Sequence, residues 1–347
     1  MNPGQPINTV IQDILTQKAL KRDFVAPTSV IEFDANGQVT LDTSGTFSAN
    51  DLFHDQIASH LQIPKKFYDR VRAAHPDLIA LTANRLLKDK PEQRLVRTMD
   101  GVARAFLSDK YRRLDNDDIA SFMIPIMQDN SAGLTVESAF VNEKKLYFQL
   151  VSQRVEGEIR VGQTVRAGVI VQNSEVGLGA LSIRPLVYTL ACKNGMIVQQ
   201  FSKRHTHLGS QLTFDADYEI MSNETIAMSN QALMLQIRDY LGYVVSQDGF
   251  NTMIQTIKET ADEEIKADPQ QVIEVLAERQ MFSEEEKKNI LYSFLKGNDF
   301  TRWGLSSAIT ETANEHPNYE RVIELETFGG QIMTMPSREF LHIAKAV

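Results

Sequence analysis

Apolar residues recur at three- and four-residue spacing in Val10, Ile11, Ile14, Leu15 and Leu20, which predicts a helix over Thr9 to Arg22, ended by Ala26-Pro27-Thr28. Val30, Ile31 and Phe33 then lead into Asp34-Ala35-Asn36-Gly37, where Asn-Gly supplies the positive φ of a tight hairpin turn. From Ser48 the pattern turns helical through His60 and restarts at Pro64 through Ala74, so two or three short helices precede the middle of the chain. Asp100-Gly101 followed by the alternation of Val102, Arg104, Phe106 and Ser108 predicts a hairpin. Asp115 or Asn116 then caps a helix running to about Gln128.

Four β-rich stretches follow: Leu134 to Phe140, Lys145 to Gln153, Gln163 to Gln172 and Gly179 to Lys193. Between the last two, Asn173 to Leu178 reads as a polar loop, and Asn194-Gly195 reads as a turn into Met196 to Phe201. After Asp215 helical spacing returns in Asn223 to Val245, Phe250 to Ile265, Gln270 to Met281 and Glu284 to Leu295, with Ser283 and Glu286 forming a capping box. No fixed-period repeat or low-complexity tract interrupts this order. The expected fold is α+β: a central antiparallel β-sheet flanked by short N-terminal helices and a helical C-terminal third. The regions run 1–92, 93–210 and 211–347, with Gly209 to Ser222 as the boundary before the third, a division compatible with one continuous domain.

At 347 residues, 42% hydrophobic and 23% charged, the chain has the composition of a globular protein that buries a core without staples. Cys192 is the one cysteine; it sits in the apolar run VYTLAC and reads as a small buried hydrophobe. It offers no internal disulfide, which fits the cytoplasm. Met1 to Pro6 lacks the basic and apolar regions of a signal peptide, and no apolar run approaches the roughly 20 residues of a spanning helix, so no membrane role is expected. The net charge of -9 is uneven: Arg94 to Arg204 carries fifteen Lys or Arg against eleven Asp or Glu. A basic middle between acidic ends reflects either helical surfaces that simply favour Glu or a basic face that binds an anionic polymer.

Phosphate-binding loops, dinucleotide fingerprints, cysteine pairs, nucleophile elbows and HExxH are all missing, which disfavours an enzyme and leaves no cofactor or metal expected. His205-Thr206-His207, completed by Asp215 or Asp217, would make a metal-dependent nuclease a distant third reading, but beside Lys203-Arg204 the histidines read as part of a basic patch. The acidic clusters Asp115 to Asp118 and Glu284 to Glu286 read as helix starts. The leading reading is non-enzymatic binding or annealing of single-stranded nucleic acid, with single-stranded DNA and further copies of the chain as partners. Affinity in such proteins comes from cations on phosphates and aromatic faces on bases. Its candidates are Arg97, Arg104, Lys110, Tyr111, Arg112, Arg113, Arg166, Arg184, Lys203 and Arg204, with Tyr111 as the stacking ring. The alternative is a protein-interaction or host-takeover factor working through Arg302, Trp303 and the helix from Thr301 to Asn314.

The stretch RVGQTVRAGVIVQNSEVGLGALSIRPLVYTLACKNGMIV, Arg160 to Val198, resembles the phage and plasmid family called domain of unknown function 932. The resemblance rests on the loop Asn173, Ser174, Glu175, Val176, Gly177, on Pro185 and Tyr188, and on Cys192 to Gly195. It extends to Leu107 to Arg112, Leu114 to Asn116, Arg204 to Thr206, Trp303 to Leu305, Ala308 to Thr310 and Glu324 to Gly330. It implies a mobile-element context and no particular activity. The residues themselves leave two readings open: Asn173, Ser174 and Glu175, followed by Gly177, expose polar groups between two apolar strands, where a functional contact could form, or Asn and Gly merely build the turn.

Overall fold

The predicted first helix forms as α1 (Ile7–Leu20), which buries Val10 and Ile14 and passes directly into strand β1 (Lys21–Pro27). The structure is a computed structural model; it describes residues 4–111, 113–128, 133–191, 193–205, 223–314 and 316–345. Strands β2 (Ile31–Phe33) and β3 (Val39–Leu41) flank the Asn36-Gly37 turn, with Gly37 at φ 78° and the Asp34 Oδ1 accepting from the backbone N–H groups of Asn36 and Gln38, each at 2.8 Å. After β4 (Thr46–Ala49), the Asn50 side chain caps α2 (Asp51–His60) by accepting from the Phe53 N–H. Two more helices follow, α3 (Lys65–Ala74) and α4 (Pro76–Asp89); the second, opened by Pro76, is one that the hydrophobic pattern did not separate. Strands β5 (Gln93–Met99) and β6 (Val102–Ser108) turn at Asp100 and Gly101, at φ 49° and 75°, the double positive φ of the tightest hairpins.

These strands form a first sheet in the order β1-β5-β6-β4-β3-β2, in which β4 pairs with β6 in parallel. The β5–β6 hairpin was expected to open the central sheet; it belongs instead to this N-terminal one. The reason is burial: Val96, Ala103 and Phe106 pack with Phe53, Ile57, Tyr68, Ile79 and Leu87 in one cluster, so the hairpin is the floor on which α2, α3 and α4 lie.

The second sheet follows α5 (Asn116–Gln128) and is an antiparallel meander of β7 (Leu134–Val141), β8 (Leu146–Glu158), β9 (Thr164–Asn173), β10 (Leu181–Thr189) and β11 (Asn194–Ile197), with β12 (Lys203–His205) paired to the start of β10. Asn194-Gly195 was read as a turn and is strand: the positive φ falls on Lys193, at 51°, and Gly195 serves close approach. A Cβ on Gly195 would lie 2.6 Å from Leu186 Cδ1 and 2.9 Å from Glu326 Oε1.

The C-terminal third is helical as expected: α6 (Asn223–Val244), α7 (Gln247–Ala261), α8 (Pro269–Gln280), α9 (Glu284–Gly297), α10 (Arg302–Ala313), α11 (Tyr319–Thr334) and α12 (Ser337–Ala344). With α1 and α5, α6 covers one face of the second sheet, through Leu233, Ile237 and Leu241 against Phe148, Leu150 and Val169. The other face is covered by α7, α10 and α11. The Ser283–Glu286 capping box is present, the Ser283 Oγ accepting from the Glu286 N–H at 3.1 Å and the Glu286 Oε2 from the Ser283 N–H at 2.7 Å. Ser283→Ala is expected to cost about 1 kcal/mol, read as a lower urea midpoint with an unchanged slope. Trp303, named with Arg302 for the interaction reading, is 3% exposed, and Arg302 beside it is fully buried, its guanidinium paired to Glu263 at 2.7 Å and stacked 4.7 Å from the Phe340 ring. That helix start is core and offers no interaction surface.

Candidate functional site

The loop Asn173–Gly177 leaves β9 and lies against β1, β5, β6 and the start of α5. It was expected to expose polar groups. Instead Asn173 and Ser174 are fully buried and Glu175 is 2% exposed, the Asn173 amide nitrogen, the Ser174 hydroxyl and the Glu175 carboxylate each turned inward onto partners and the Asn173 Oδ1 buried without one. Asn173 Nδ2 donates to the Leu114 carbonyl and to Asn116 Oδ1, both at 2.9 Å, which holds the entry to α5. Ser174 Oγ donates to the Lys144 carbonyl at 2.8 Å, while the Ser174 carbonyl accepts from the Tyr111 hydroxyl at 2.9 Å. Gly177, at φ 80°, closes the loop in the left-handed region, where a Cβ would also meet Leu107 Cδ2 at 2.7 Å.

Glu175 is the centre of a buried ion network. Its Oε1 accepts from Lys21 Nζ at 2.8 Å and from the Asn116 N–H at 2.7 Å; its Oε2 accepts from Arg104 at 2.6 Å. Lys21 also donates to Asp117 at 3.0 Å and Asp115 at 3.3 Å. Arg97, 1% exposed, makes a two-pronged contact with Asp23 at 2.9 and 3.2 Å, reaches Asp115 at 2.7 Å, and donates to the Glu175 carbonyl at 3.0 Å. Lys18 closes the rim on Asp117 at 2.8 Å. The four carboxylates of Asp23, Asp115, Asp117 and Glu175 thus face the cations of Lys18, Lys21, Arg97 and Arg104, with Arg113 at the rim beside Asp23. Burial opposes ionisation of Glu175, but Arg104 and Lys21 outweigh it and hold the carboxyl below the usual range. Burial likewise opposes the charge of Lys21, and Glu175 and Asp115 outweigh it.

The carboxylate oxygens of Asp115, Asp117 and Glu175 lie within 4.8 Å of one another, a spacing suited to a hard cation. Here the Lys21 ammonium bonds all three, so the chain itself supplies the positive charge. The network therefore works as a clasp: Lys21, Asp23, Arg97 and Arg104 come from the first sheet, Glu175 from the β9–β10 connection, Asp115 and Asp117 from the approach to α5.

A second buried polar chain lies on the opposite face of the second sheet. The Tyr319 hydroxyl and Ser138 Oγ are 2.6 Å apart, Ser138 Oγ donates to Gln149 Oε1 at 2.7 Å, and Gln149 Nε2 donates to Glu326 Oε2 at 2.9 Å. The Gly195 N–H donates to Glu326 Oε1 at 3.3 Å. Burial pushes the Glu326 carboxyl up to about 8, against the pull of the Gln149 and Gly195 bonds and of Arg184.

The sequence-predicted nucleic-acid residues do not share one face. Arg97 and Arg104 are buried in the clasp, and the Tyr111 hydroxyl is committed to the motif loop. Arg184 is partly buried and donates to Thr327 at 3.1 Å and Gln172 at 2.8 Å; Arg166 donates to Gln153 at 2.6 Å. Lys110 is exposed, and Arg113 is half-exposed with its Nε 3.6 Å from Asp23. Lys203 and Arg204 pair through β12 with Ile183 and Ser182, their side chains falling outside the described residues, as do Arg112, Cys192, His207, Asp215 and Asp217.

Charge-counting missed α3, where Lys66, Phe67 and Arg70 are all exposed and the Arg70 guanidinium lies 5.7 Å from the Phe67 ring centroid. Its neighbours are spent, Lys65 on Asp55 and Asp69, Arg72 on Asp51 at 2.6 Å, whereas neither Lys66 nor Arg70 has an acidic partner among the described residues. The segment Lys65 to Lys90 holds seven Lys or Arg against three Asp, a signal that was present in the sequence ahead of the window counted.

Two layered sheets joined by a buried ionic clasp, with no helix among the described residues long and apolar enough to cross a membrane, define an α+β protein whose motif loop is internal architecture. The chain belongs to the family described as domain of unknown function 932, whose model matches residues 105–327. That span takes in Asp115, Asp117, Glu175 and Glu326 and leaves the first-sheet half of the clasp outside it. No curated protein and no solved structure matches the chain.

Proposed function

We propose that this protein binds single-stranded nucleic acid without catalysis, through α3. The observation that carries the reading is the exposed Phe67 ring, 47% accessible beneath Arg70, with Lys66 beside it and no carboxylate on either cation among the described residues. A single strand offers unpaired base faces to an aromatic ring and phosphates to cations, and a duplex withholds the bases. The start of α3 at Pro64 has no side-chain cap, so its free N–H groups add partial positive charge beside Lys66. Helix α9 carries a similar pair, with Lys296 Nζ 5.9 Å from the Tyr292 ring, but residues 247–299 hold twelve Asp or Glu against six Lys or Arg. The local field there repels phosphate, while the field around α3 attracts it.

Fluorescence anisotropy of a labelled single-stranded oligonucleotide, beside duplex of equal length, tests this. The expected outcome is salt-sensitive binding that prefers the single strand. Lys66→Glu with Arg70→Glu weakens it at least about tenfold and flattens the salt dependence; Phe67→Ala costs about 1–3 kcal/mol of affinity. Lys110→Glu with Arg113→Glu has the smaller effect. Binding that is absent at low salt, or untouched by the α3 substitutions, overturns the proposal.

A further inference from the structure

Helix α4 carries an apolar stripe that none of the described residues covers: Leu78 is 51% exposed and Leu81, one turn on, is 69% exposed. Leucines neither stack on bases nor meet phosphates, so this stripe lies outside the surface assigned to nucleic acid on α3. An exposed apolar stripe on a folded chain marks a contact surface. Of the seven Lys or Arg in the surrounding segment Lys65 to Lys90, Lys65, Arg72, Arg85, Lys88 and Lys90 are paired with carboxylates, and Lys66 and Arg70 on the adjoining α3 have no acidic partner among the described residues. A partner for it must be acidic and carry an apolar projection. The chain itself holds such a feature at the corner between α8 and α9. Met281 stands there in the left-handed conformation, at φ 48°, with its side chain 87% exposed, the most exposed methionine among the described residues. Glu278, Glu284 and Glu285, all exposed, flank it in a region of twelve acidic against six basic residues.

We propose that the α8–α9 corner of one copy docks on the α4 face of a second copy, Met281 seating against Leu78 and Leu81 while Glu278 and Glu285 face Lys66 and Arg70. The two surfaces are different parts of one molecule, so the contact is head-to-tail: a pair of copies keeps one donor corner and one acceptor face free, and chains or rings follow. Charge complementarity sets the orientation and the apolar contact supplies the affinity.

Sedimentation velocity of the full chain, in the absence of nucleic acid, tests the contact. At about 100 µM, where an interface with Kd of about 10 µM is mostly formed, the wild type is expected to sediment as associated species that shift toward monomer at high salt. Leu81→Glu and Met281→Glu, both surface changes whose folding is checked by circular dichroism, each weaken association at least tenfold. Mixed in equal amounts they restore one intact interface, and a dimer that grows no further appears. A wild type monomeric at about 100 µM, association untouched by either substitution, or a mixture that stays monomeric overturns the proposal. The Phe67→Ala variant separates this contact from the α3 reading: it retains association whether or not nucleic-acid binding is lost.

Discussion

Replacing Glu175 by Gln lowers the stability of the folded chain by about 3–5 kcal/mol, the cost of removing one partner from a buried charge cluster. The substitution keeps the shape of the side chain and removes its charge, so Lys21 and Arg104, both nearly inaccessible, lose the carboxylate that each bonds within 2.8 Å. Because the clasp joins the first sheet to the second, the loss appears as separation of two unfolding transitions in urea, the first sheet going first. Replacing both ends, Glu175→Leu with Arg104→Met, recovers part of it by leaving fewer unpaired charges. An unchanged midpoint for Glu175→Gln would refute the structural role given to the motif. The pH dependence has a definite sign. The folded Glu175 carboxyl lies below its ordinary value, so its contribution is complete above the unfolded value and is lost as pH falls through the folded one. The wild type loses this stability on acidification below that range, and Glu175→Gln lacks this part of the acid limb.

Glu326→Gln acts in the opposite direction. With its carboxyl pushed up to about 8 in the folded chain, the folded state holds a proton that the unfolded state has released. Stability attached to that proton is present below the unfolded value and falls as pH rises through about 8. The groups around it do not cancel the effect: Arg184 on β10 favours ionisation, and Glu137 on β7 opposes it. From pH 5 to pH 9 the wild type is therefore expected to lose roughly 3–5 kcal/mol through this one group, and Glu326→Gln to lack that slope. The variant is no more stable than the wild type at pH 5 and more stable at pH 9. Parallel pH profiles would show that Glu326 is not buried in its acid form. Glu326→Leu is worse at every pH, since it leaves Gln149 Nε2 and the Gly195 N–H without their acceptor.

Most elements were legible because local rules specify them. Asn36-Gly37 and Asp100-Gly101 place hairpins through backbone φ alone, and Ser283 with Glu286 fixes a helix start through bonds three residues apart. Strands β7 to β10 follow from runs of β-branched and apolar residues. Sheet membership was not legible, since β5 pairs with β1 from Lys21↔Met99 to Pro27↔Gln93 and β6 pairs with β4, partners that lie far back in the chain. The same distance hid the fate of the charges. Arg97 looks like any strand cation until Asp23 and Asp115 arrive beside it, and Glu175 looks like a loop carboxylate until Lys21 reaches it from 154 residues away. Asn194-Gly195 shows the limit from the other side: glycine serves a turn or a close approach equally well, and only Leu186 and Glu326 decide between them.

By itself the sequence determined the class of the fold, the order and kind of most of its elements, and the motif that places the chain in its family, because periodicity, turn chemistry and capping act within a few residues. The tertiary structure decided which charges are free. A cation is available to a ligand only if no carboxylate has claimed it, and such pairings are made between segments far apart in the chain. That is why Arg97 and Arg104, from the basic middle of the sequence, turned out to belong to the clasp, while the uncommitted Lys66 and Arg70 of α3 lay ahead of it.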